Sequence, residues 1–250
     1  MKKTISILIL LILIPTLCFA GALQEKQRQA IAKKNTAGGA KTITHVARDA
    51  YGLSTEASST IATGAAKAAA TGNTIVVFVY SYIGGYQHAP VSITGISDTA
   101  SNTYTKITTG NNAEGYNEQV EMWYATNITG NASNIVTATF SESVGTSTIQ
   151  TMEFSGLGTA SVDTYNHSTG TNAPSSCSIT TTEAVTLAFS GLRNSQQASN
   201  GSAGSGYTMT SEVVYAQIFE YKINSTSGTY SGDFTGFSNG TWLSIQAALK

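Results

Sequence analysis

From Thr42 to the end of the chain, hydrophobic and polar residues alternate with a period of two, which is the spacing of β-strands rather than of helices. Thr, Val, Ile and Tyr dominate the alternating segments, and clusters of Gly, Asn and Ser separate them. About ten short strands with no convincing helix between them are typical of two packed antiparallel sheets. The pattern therefore predicts an all-β fold, a single antiparallel β-sandwich.

Individual segments indicate where some of these strands lie. The segment NTIVVFVYSY, residues 73–82, is apolar on both faces, which predicts a central strand covered on both sides. Residues 119–126 and 134–141 flank the turn-forming segment NITGNAS and should pair as a hairpin. A second hairpin corner is expected at SDTASN, between a strand ending at Ile96 and one beginning near Thr103.

The large apolar side chains that share one face of each predicted strand should form the core. We expect six of them to be buried: Phe78, Met152, Phe154, Phe189, Phe219 and Leu243.

The first twenty residues predict a secretory signal peptide. Two lysines precede an apolar run, and small residues follow at Ala20 and Ala22. We expect cleavage after Ala20, with cleavage after Ala22 as the alternative. The run is too short for a retained membrane-spanning helix, and no later segment is long and apolar enough to span. The predicted organisation is a signal peptide at 1–20, a basic leader at 21–41 and a β-sandwich domain at 42–250, in a protein that is secreted to the periplasm, the cell surface or the medium.

Charge separates the leader from the domain. Residues 21–41 hold five basic residues and one acidic residue, a net charge of +4, whereas residues 42–250 hold six basic and thirteen acidic residues, a net charge of −7. An acidic folded domain argues against a nucleic-acid surface. Because Cys18 lies in the predicted signal peptide, Cys177 is left without a partner for an internal disulfide.

The sequence contains no motif that predicts catalysis. His45, His88 and His167 are widely separated, without the spacing of a zinc site, and there is no nucleophile elbow. Glycoside hydrolysis would need two acids facing one cleft. Glu118 and Glu121 fall on opposite strand faces and are expected to be solvated, so a glycan hydrolase using acids such as Glu114 is the alternative rather than the preferred interpretation.

No cofactor is expected. Asp98 and Asn102, four residues apart, are interpreted as a structural turn whose side chains bond the backbone. A structural calcium site is the alternative, because loop carboxylates and carbonyls suit this ion, but no DxDxDG-type cluster supports it.

The order of several segments carries a resemblance. GNTIVVFVY, VSITGISDTASNTYT, MWYATNITGNASNIVTATF, MEFSGLG and the closing GTWLSIQAALK together resemble a jelly-roll-like β-sandwich module of secreted bacterial proteins. The resemblance covers roughly residues 43–250, and its motifs are turn and core patterns. It implies a jelly-roll-like fold and carries over no catalytic residues. Ser101 stands where Gly is usual, which indicates a different turn type.

Strand direction indicates where a ligand could bind. If successive strands are antiparallel, every second loop lies at the same end of the sandwich. That end collects loops rich in aromatic residues and glycine, including 83–90, 110–119 and 191–206. The candidate ligand-binding residues there are Tyr82, Tyr86, His88, Tyr116 and Arg193.

The sequence favours a secreted, non-enzymatic binding or surface-structural module that contacts a glycan or a cell-surface component through these loops. Exposed aromatic rings offer a large rigid area and a polar hydroxyl at little entropic cost. The alternatives are an extracellular hydrolase acting on glycans and a self-assembling surface subunit.

Overall fold

A computed structural model describes residues 41–46, 48–84, 89, 91–111, 117–172, 174, 177–196, 201–210 and 217–250. The predicted signal peptide and nearly all of the predicted leader lie outside these residues. Contacts join Thr42–Lys250 into one compact unit. Within the described residues there is no helix of the length and hydrophobicity that a membrane span requires.

The regular structure of the described residues consists of eighteen β-strands. In chain order they are β1 Thr44–His45, β2 Ala50–Ser54, β3 Ser58–Ala62, β4 Lys67–Ala69, β5 Thr74–Tyr82, β6 Ile93–Asp98, β7 Thr105–Asn111, β8 Glu118–Ala125, β9 Asn131–Asn134, β10 Val136–Val144, β11 Thr146–Ser155, β12 Val162–Gly170, β13 Ser178–Thr181, β14 Thr186–Asn194, β15 Thr208–Met209, β16 Gln217–Asn224, β17 Gly228–Ser231 and β18 Trp242–Leu249.

Two antiparallel sheets pack face to face and enclose the main core. The central sheet has the order β1-β11-β5-β8-β7, and β2 also pairs with β11. The second sheet has the order β12-β18-β14-β16-β15. All six predicted core residues are fully buried between these sheets, and the predicted all-β sandwich class is confirmed: Phe78, Met152, Phe154, Phe189, Phe219 and Leu243.

A third sheet, of order β3-β10-β6, covers the opposite face of the central sheet. Val77 and Val79 of β5 and Trp123 of β8 pack there with Ile93 and Phe140 of the third sheet. Strand β5 is therefore buried on both faces, as its continuous apolar sequence predicted.

The outer face of the second sheet is also covered. The β13-β17 pair lies over it, and Ile179 and Tyr207 pack with Ala188 and Ala248 of the sheet. The middle strands of both main sheets are thus buried on both faces, and the sandwich has more layers than its two principal sheets.

The hairpin predicted for residues 119–126 and 134–141 is wrong. Strand β8 lies between β5 and β7 in the central sheet, whereas β10 lies between β3 and β6 in the third sheet. Burial explains the separation. Nearly every residue of β8 is buried, as in a middle layer, whereas β10 alternates between buried and exposed residues, as in an outer layer. A turn signal marks a change of direction but does not determine which strands pair.

The corner at SDTASN likewise does not join a hairpin, because β6 belongs to the third sheet and β7 to the central sheet. The turn carries the chain from one layer to the next. Asp98 Oδ1 accepts hydrogen bonds from the backbone N–H groups of Ala100 (3.1 Å) and Asn102 (2.9 Å), so the predicted bonding of side chain to backbone is present. Ser101 adopts a positive φ of 59°, which is uncommon for a residue other than glycine.

Three more donors bond the other oxygen of Asp98. Asn102 Nδ2 donates at 2.8 Å, the Tyr104 hydroxyl at 2.9 Å and Asn134 Nδ2 at 3.1 Å. Burial alone would raise the pKa of Asp98, but these bonds outweigh it, and the pKa lies below its usual value. A carboxylate surrounded by five donors favours the structural turn over the calcium alternative, since calcium would need the oxygens directed at the ion.

The expectation that Glu118 and Glu121 are solvated is wrong. Glu121 is fully buried and accepts hydrogen bonds from Lys106 Nζ (2.9 Å), Gln119 Nε2 (2.5 Å) and Trp123 Nε1 (2.7 Å). The reason is the middle position of β8, which leaves neither face in water. Each acid on this strand therefore requires protein partners.

Polar residues also lie buried on the outer face of the second sheet. Gln246, Ser190 and Glu220 form one row across three adjacent strands. Glu220 Oε2 accepts a hydrogen bond of 2.8 Å from the backbone N–H of Gly204. Burial raises the pKa of Glu220 to about 7; the Gly204 bond opposes this shift, and the charge of Asp233 adds to it.

Replacing Phe154 tests the core assignment. Its ring is fully buried and makes a T-shaped contact with Tyr221, with ring centroids 5.0 Å apart. We expect Phe154→Ala to lower the free energy of unfolding by about 3 to 5 kcal/mol in chemical denaturation, because truncation leaves a cavity. The control is Tyr165→Ala on β12, where the side chain is 55% exposed and the change should stay within about 0.5 kcal/mol. A loss below about 1 kcal/mol for Phe154→Ala would contradict the assignment.

The Asp98 turn should make the protein less stable in acid. Because the pKa of Asp98 is lower in the folded than in the unfolded protein, its stabilisation is present above the unfolded value and is lost as the pH falls through the folded value. Asp98→Asn should lower stability at pH 7 by about 1 to 3 kcal/mol and weaken the acid dependence. Glu142→Gln, at an exposed position, is the control. If Asp98→Asn and the wild type lose stability equally as the pH falls, the stabilising role assigned to Asp98 is wrong.

Glu220 should have the opposite pH dependence. Its folded pKa of about 7 exceeds the ordinary value of 4.5, so its contribution to stability is fully present below pH 4.5 and is lost as the pH rises through 7. Glu220→Gln should therefore flatten the decline between these values, as followed by thermal unfolding at a series of pH values. An unchanged decline in this variant would show that another group causes it.

Candidate functional site

The strand ends that border the predicted binding loops lie at one end of the sandwich. Tyr82, the last residue of β5, pairs with Glu118 at the start of β8 and with Thr146 at the start of β11. Asn111, the last residue of β7, pairs with Gln119. Strand direction therefore groups these ends as expected.

Two of the five predicted site residues are described at this end. Tyr82 is half-buried and packs against the main core, and the Arg193 side chain is 15% exposed. Tyr86, His88 and Tyr116 lie outside the described residues. The structure brings Tyr82 and Arg193 together around Glu118, which pairs with Tyr82 in register and with Arg193 by charge.

Arg193 is engaged within the protein. Its Nη2 lies 3.0 Å from Glu118 Oε1, which also accepts a 2.8 Å hydrogen bond from the Tyr80 hydroxyl. The guanidinium carbon lies 5.0 Å from the centre of the Tyr80 ring. Burial raises the pKa of Tyr80 far above its usual value, so the phenol remains a donor to Glu118. The charge of Arg193 thus neutralises a buried acid, and this arrangement closes the end of the core.

A different surface forms a cleft. Strand β2 extends the central sheet beyond β11, opposite an edge of the second sheet where β15 is only two residues long. Tyr51 and Leu53 of β2 share the face of the sheet that is turned toward the second sheet, but they remain 42% and 38% exposed because that sheet does not cover them. Between them, a Cβ on Gly52 would lie 1.9 Å from the carbonyl oxygen of Ala62, so only glycine permits this close approach to β3.

We call this surface the β2 cleft. It has a volume of about 540 Å³, and its described lining includes Asp49, Tyr51, Leu53, Lys67, Gln150 and Thr210. Gln150 is only 1% exposed, and its Oε1 and Nε2 have no hydrogen-bond partner among the described residues. Since buried polar groups are nearly always paired, this amide is the most unusual feature of the cleft.

The charged residues of the cleft differ in how they are held. Asp49 Oδ1 lies 2.7 Å from His45 Nε2. The His45 ring contacts both Phe154 and Tyr221, with ring centroids 5.2 Å and 4.6 Å apart. Asp49 is thus fixed through a packed imidazole, whereas Lys67 is exposed. One negative and one positive side chain leave the described lining without a net charge.

Sequence reasoning missed the cleft. Tyr51 and Leu53 alternate around Gly52 as on a strand, which indicates that they share a face. Their exposure, however, depends on how far a distant sheet extends, for which there is no local signal. The pairing of His45 with Asp49 has no local signal either, because residues four positions apart are neighbours on a helix but not on an extended strand.

The described residues contain no group of three His, Cys, Asp or Glu side chains that could hold a metal ion. Cys177 is buried and free, and its Sγ lies 3.6 Å from the Ser244 hydroxyl. Burial raises the pKa of the Cys177 thiol to about 11, so little reactive thiolate forms near neutral pH.

Comparisons with protein-family models, curated proteins and solved structures give no match. The resemblance to secreted jelly-roll-like modules therefore stays a prediction. Fold and geometry together define an antiparallel β-sandwich with a cleft along the overhanging edge of its central sheet.

Proposed function

We propose that the protein is an extracellular, non-enzymatic binding module and that it binds a glycan in the β2 cleft. The observation that carries this proposal is the cleft of about 540 Å³ beside the half-exposed Tyr51 and Leu53, with the unpaired amide of Gln150 in its lining. The extracellular location rests on the predicted signal peptide.

The chemistry of the cleft suits a sugar ring. Its volume falls within the range of roughly 300 to 1,000 Å³ that is typical of sites for small organic ligands. A tyrosine ring offers a flat apolar surface for the C–H face of a pyranose and a hydroxyl for hydrogen bonding. The backbone around Gly52 is fixed by its close approach to Ala62, so the ring of Tyr51 projects from a rigid strand.

Binding fits this lining better than hydrolysis does. Glycoside hydrolysis uses two carboxyl groups on opposite sides of the scissile bond. The described lining of the cleft supplies only Asp49, and this carboxylate is hydrogen-bonded to His45. The hydrolase alternative relied on Glu114, which lies outside the described residues.

The loops at the end of the sandwich stay a second predicted surface. The described part of that surface favours a structural role for Arg193, because its guanidinium pairs with Glu118 inside the protein. Self-assembly also stays a prediction, and light scattering on the purified protein would test it.

Calorimetric titration with a panel of neutral hexasaccharides tests the proposal. The panel is cellohexaose, laminarihexaose, mannohexaose and xylohexaose. We expect at least one to bind and Tyr51→Ala to weaken that binding about tenfold, which corresponds to a loss of about 1.4 kcal/mol.

Tyr165→Ala is the matched control, because it removes another exposed tyrosine. Tyr165 lies on β12, the edge strand of the second sheet opposite to β15. This variant should bind as the wild type does, and neither protein should release reducing ends. The proposal fails if no hexasaccharide binds or if Tyr51→Ala and Tyr165→Ala behave alike.

A further inference from the structure

We infer that Gln150 determines the specificity of the β2 cleft by binding two adjacent hydroxyl groups of a neutral pyranose ring. The inference rests on the proposed function and names its ligand class. Its basis is the position of Gln150 relative to Tyr51, the unpaired state of its amide and the charge of the lining.

Gln150 and Tyr51 are neighbours across two paired strands. Gln150 lies directly opposite Tyr51 in the antiparallel register of β2 and β11. Directly opposed residues project from the same face of a sheet, with Cβ atoms about 4.5 to 5.5 Å apart. A sugar ring stacked on Tyr51 would therefore lie beside the Gln150 side chain.

The chemistry of the amide restricts the ligand. Gln150 offers donors at Nε2 and an acceptor at Oε1, and both atoms lack partners among the described residues. Two adjacent hydroxyls satisfy them together, because one hydroxyl accepts from Nε2 while the other donates to Oε1. A carboxylate or phosphate can only accept and would leave Oε1 unpaired, and an ammonium group can only donate.

The neighbour of Gln150 on the same face of β11 is already engaged. The Thr148 hydroxyl donates to Gln217 Oε1 of the second sheet. Nothing comparable holds the Gln150 amide, so turning it toward a ligand breaks no hydrogen bond within the described structure. Of these two polar side chains, Gln150 is therefore the one that can turn toward a ligand without losing an internal hydrogen bond.

Charge points to the same class of ligand. Asp49 and Lys67 contribute opposite charges, so the described lining offers no excess of either sign to attract a strongly acidic or basic polymer. Asp49 is already bonded to His45, which leaves the amide as the buried polar group that a ligand would pair.

The test compares the hexasaccharide that binds best with analogues in which one hydroxyl of each adjacent pair is replaced by hydrogen. The wild type should bind the parent sugar about tenfold more tightly than at least one analogue, as expected when a buried polar group loses its partner. Gln150→Met removes both polar atoms and keeps an unbranched side chain of similar length. It should bind the parent sugar as weakly as that analogue and no longer distinguish the two.

Thr148→Val is the control, and it should retain the distinction between parent and analogue. Thermal unfolding of each variant verifies that it is folded. If Gln150→Met does not fold, Gln150→Leu serves as the second apolar variant. If the wild type binds sugars and Tyr51→Ala weakens binding, but the apolar variants of Gln150 still discriminate, the inference is wrong while the proposed function stands.

Absence of binding to every hexasaccharide would instead refute the proposed function itself. A panel of extended decapeptides is titrated in parallel, since a peptide group also combines a donor with an acceptor. Peptide binding that Gln150→Met abolishes, without any binding of sugars, would overturn the assignment of the ligand class.

Discussion

Burial of the central sheet on both faces is the constraint on which the rest of the structure depends. Strands β5 and β8 lie in the middle of this sheet, between the second and the third sheet, so most side chains on them are either apolar or paired. The valines and phenylalanine of β5 meet this requirement directly. The acids of β8 meet it through Arg193 on one face and Lys106 on the other. These ion pairs are consequences of the layered architecture.

Much of the fold could be predicted because its signals are local. Alternation with a period of two marked the strands, and the apolar sequence of β5 marked the middle of the sandwich. Strand pairing could not be predicted in the same way. The turns after β6 and β8 were identified correctly as changes of direction, but each leads the chain into another layer, and the choice of layer depends on residues far away in sequence. The same long-range effect buried Glu121, which the sequence led us to expect in solvent.

The candidate site was predictable to a smaller extent. Strand direction grouped the ends of β5, β8 and β11 correctly, yet Arg193, a candidate ligand-binding residue at that end, neutralises Glu118. The β2 cleft had no counterpart in the sequence analysis. A half-exposed Tyr51 and a fully buried tyrosine look alike in a period-two pattern, because the difference lies in whether an opposing strand covers them.

Because β2 extends past the opposing sheet, substitutions on this strand and substitutions in the main core should affect the protein differently. Substitutions at the main core change the fold and the cleft together, since β11 belongs to both. Tyr51 and Leu53, by contrast, project beyond the opposing sheet and contribute little to the core, while Gly52 between them holds the backbone in place. Substitutions at these two alternate positions should therefore change the proposed binding surface with little effect on stability. If the proposed function holds, a regular strand carries the contact surface that binding proteins more often place on loops.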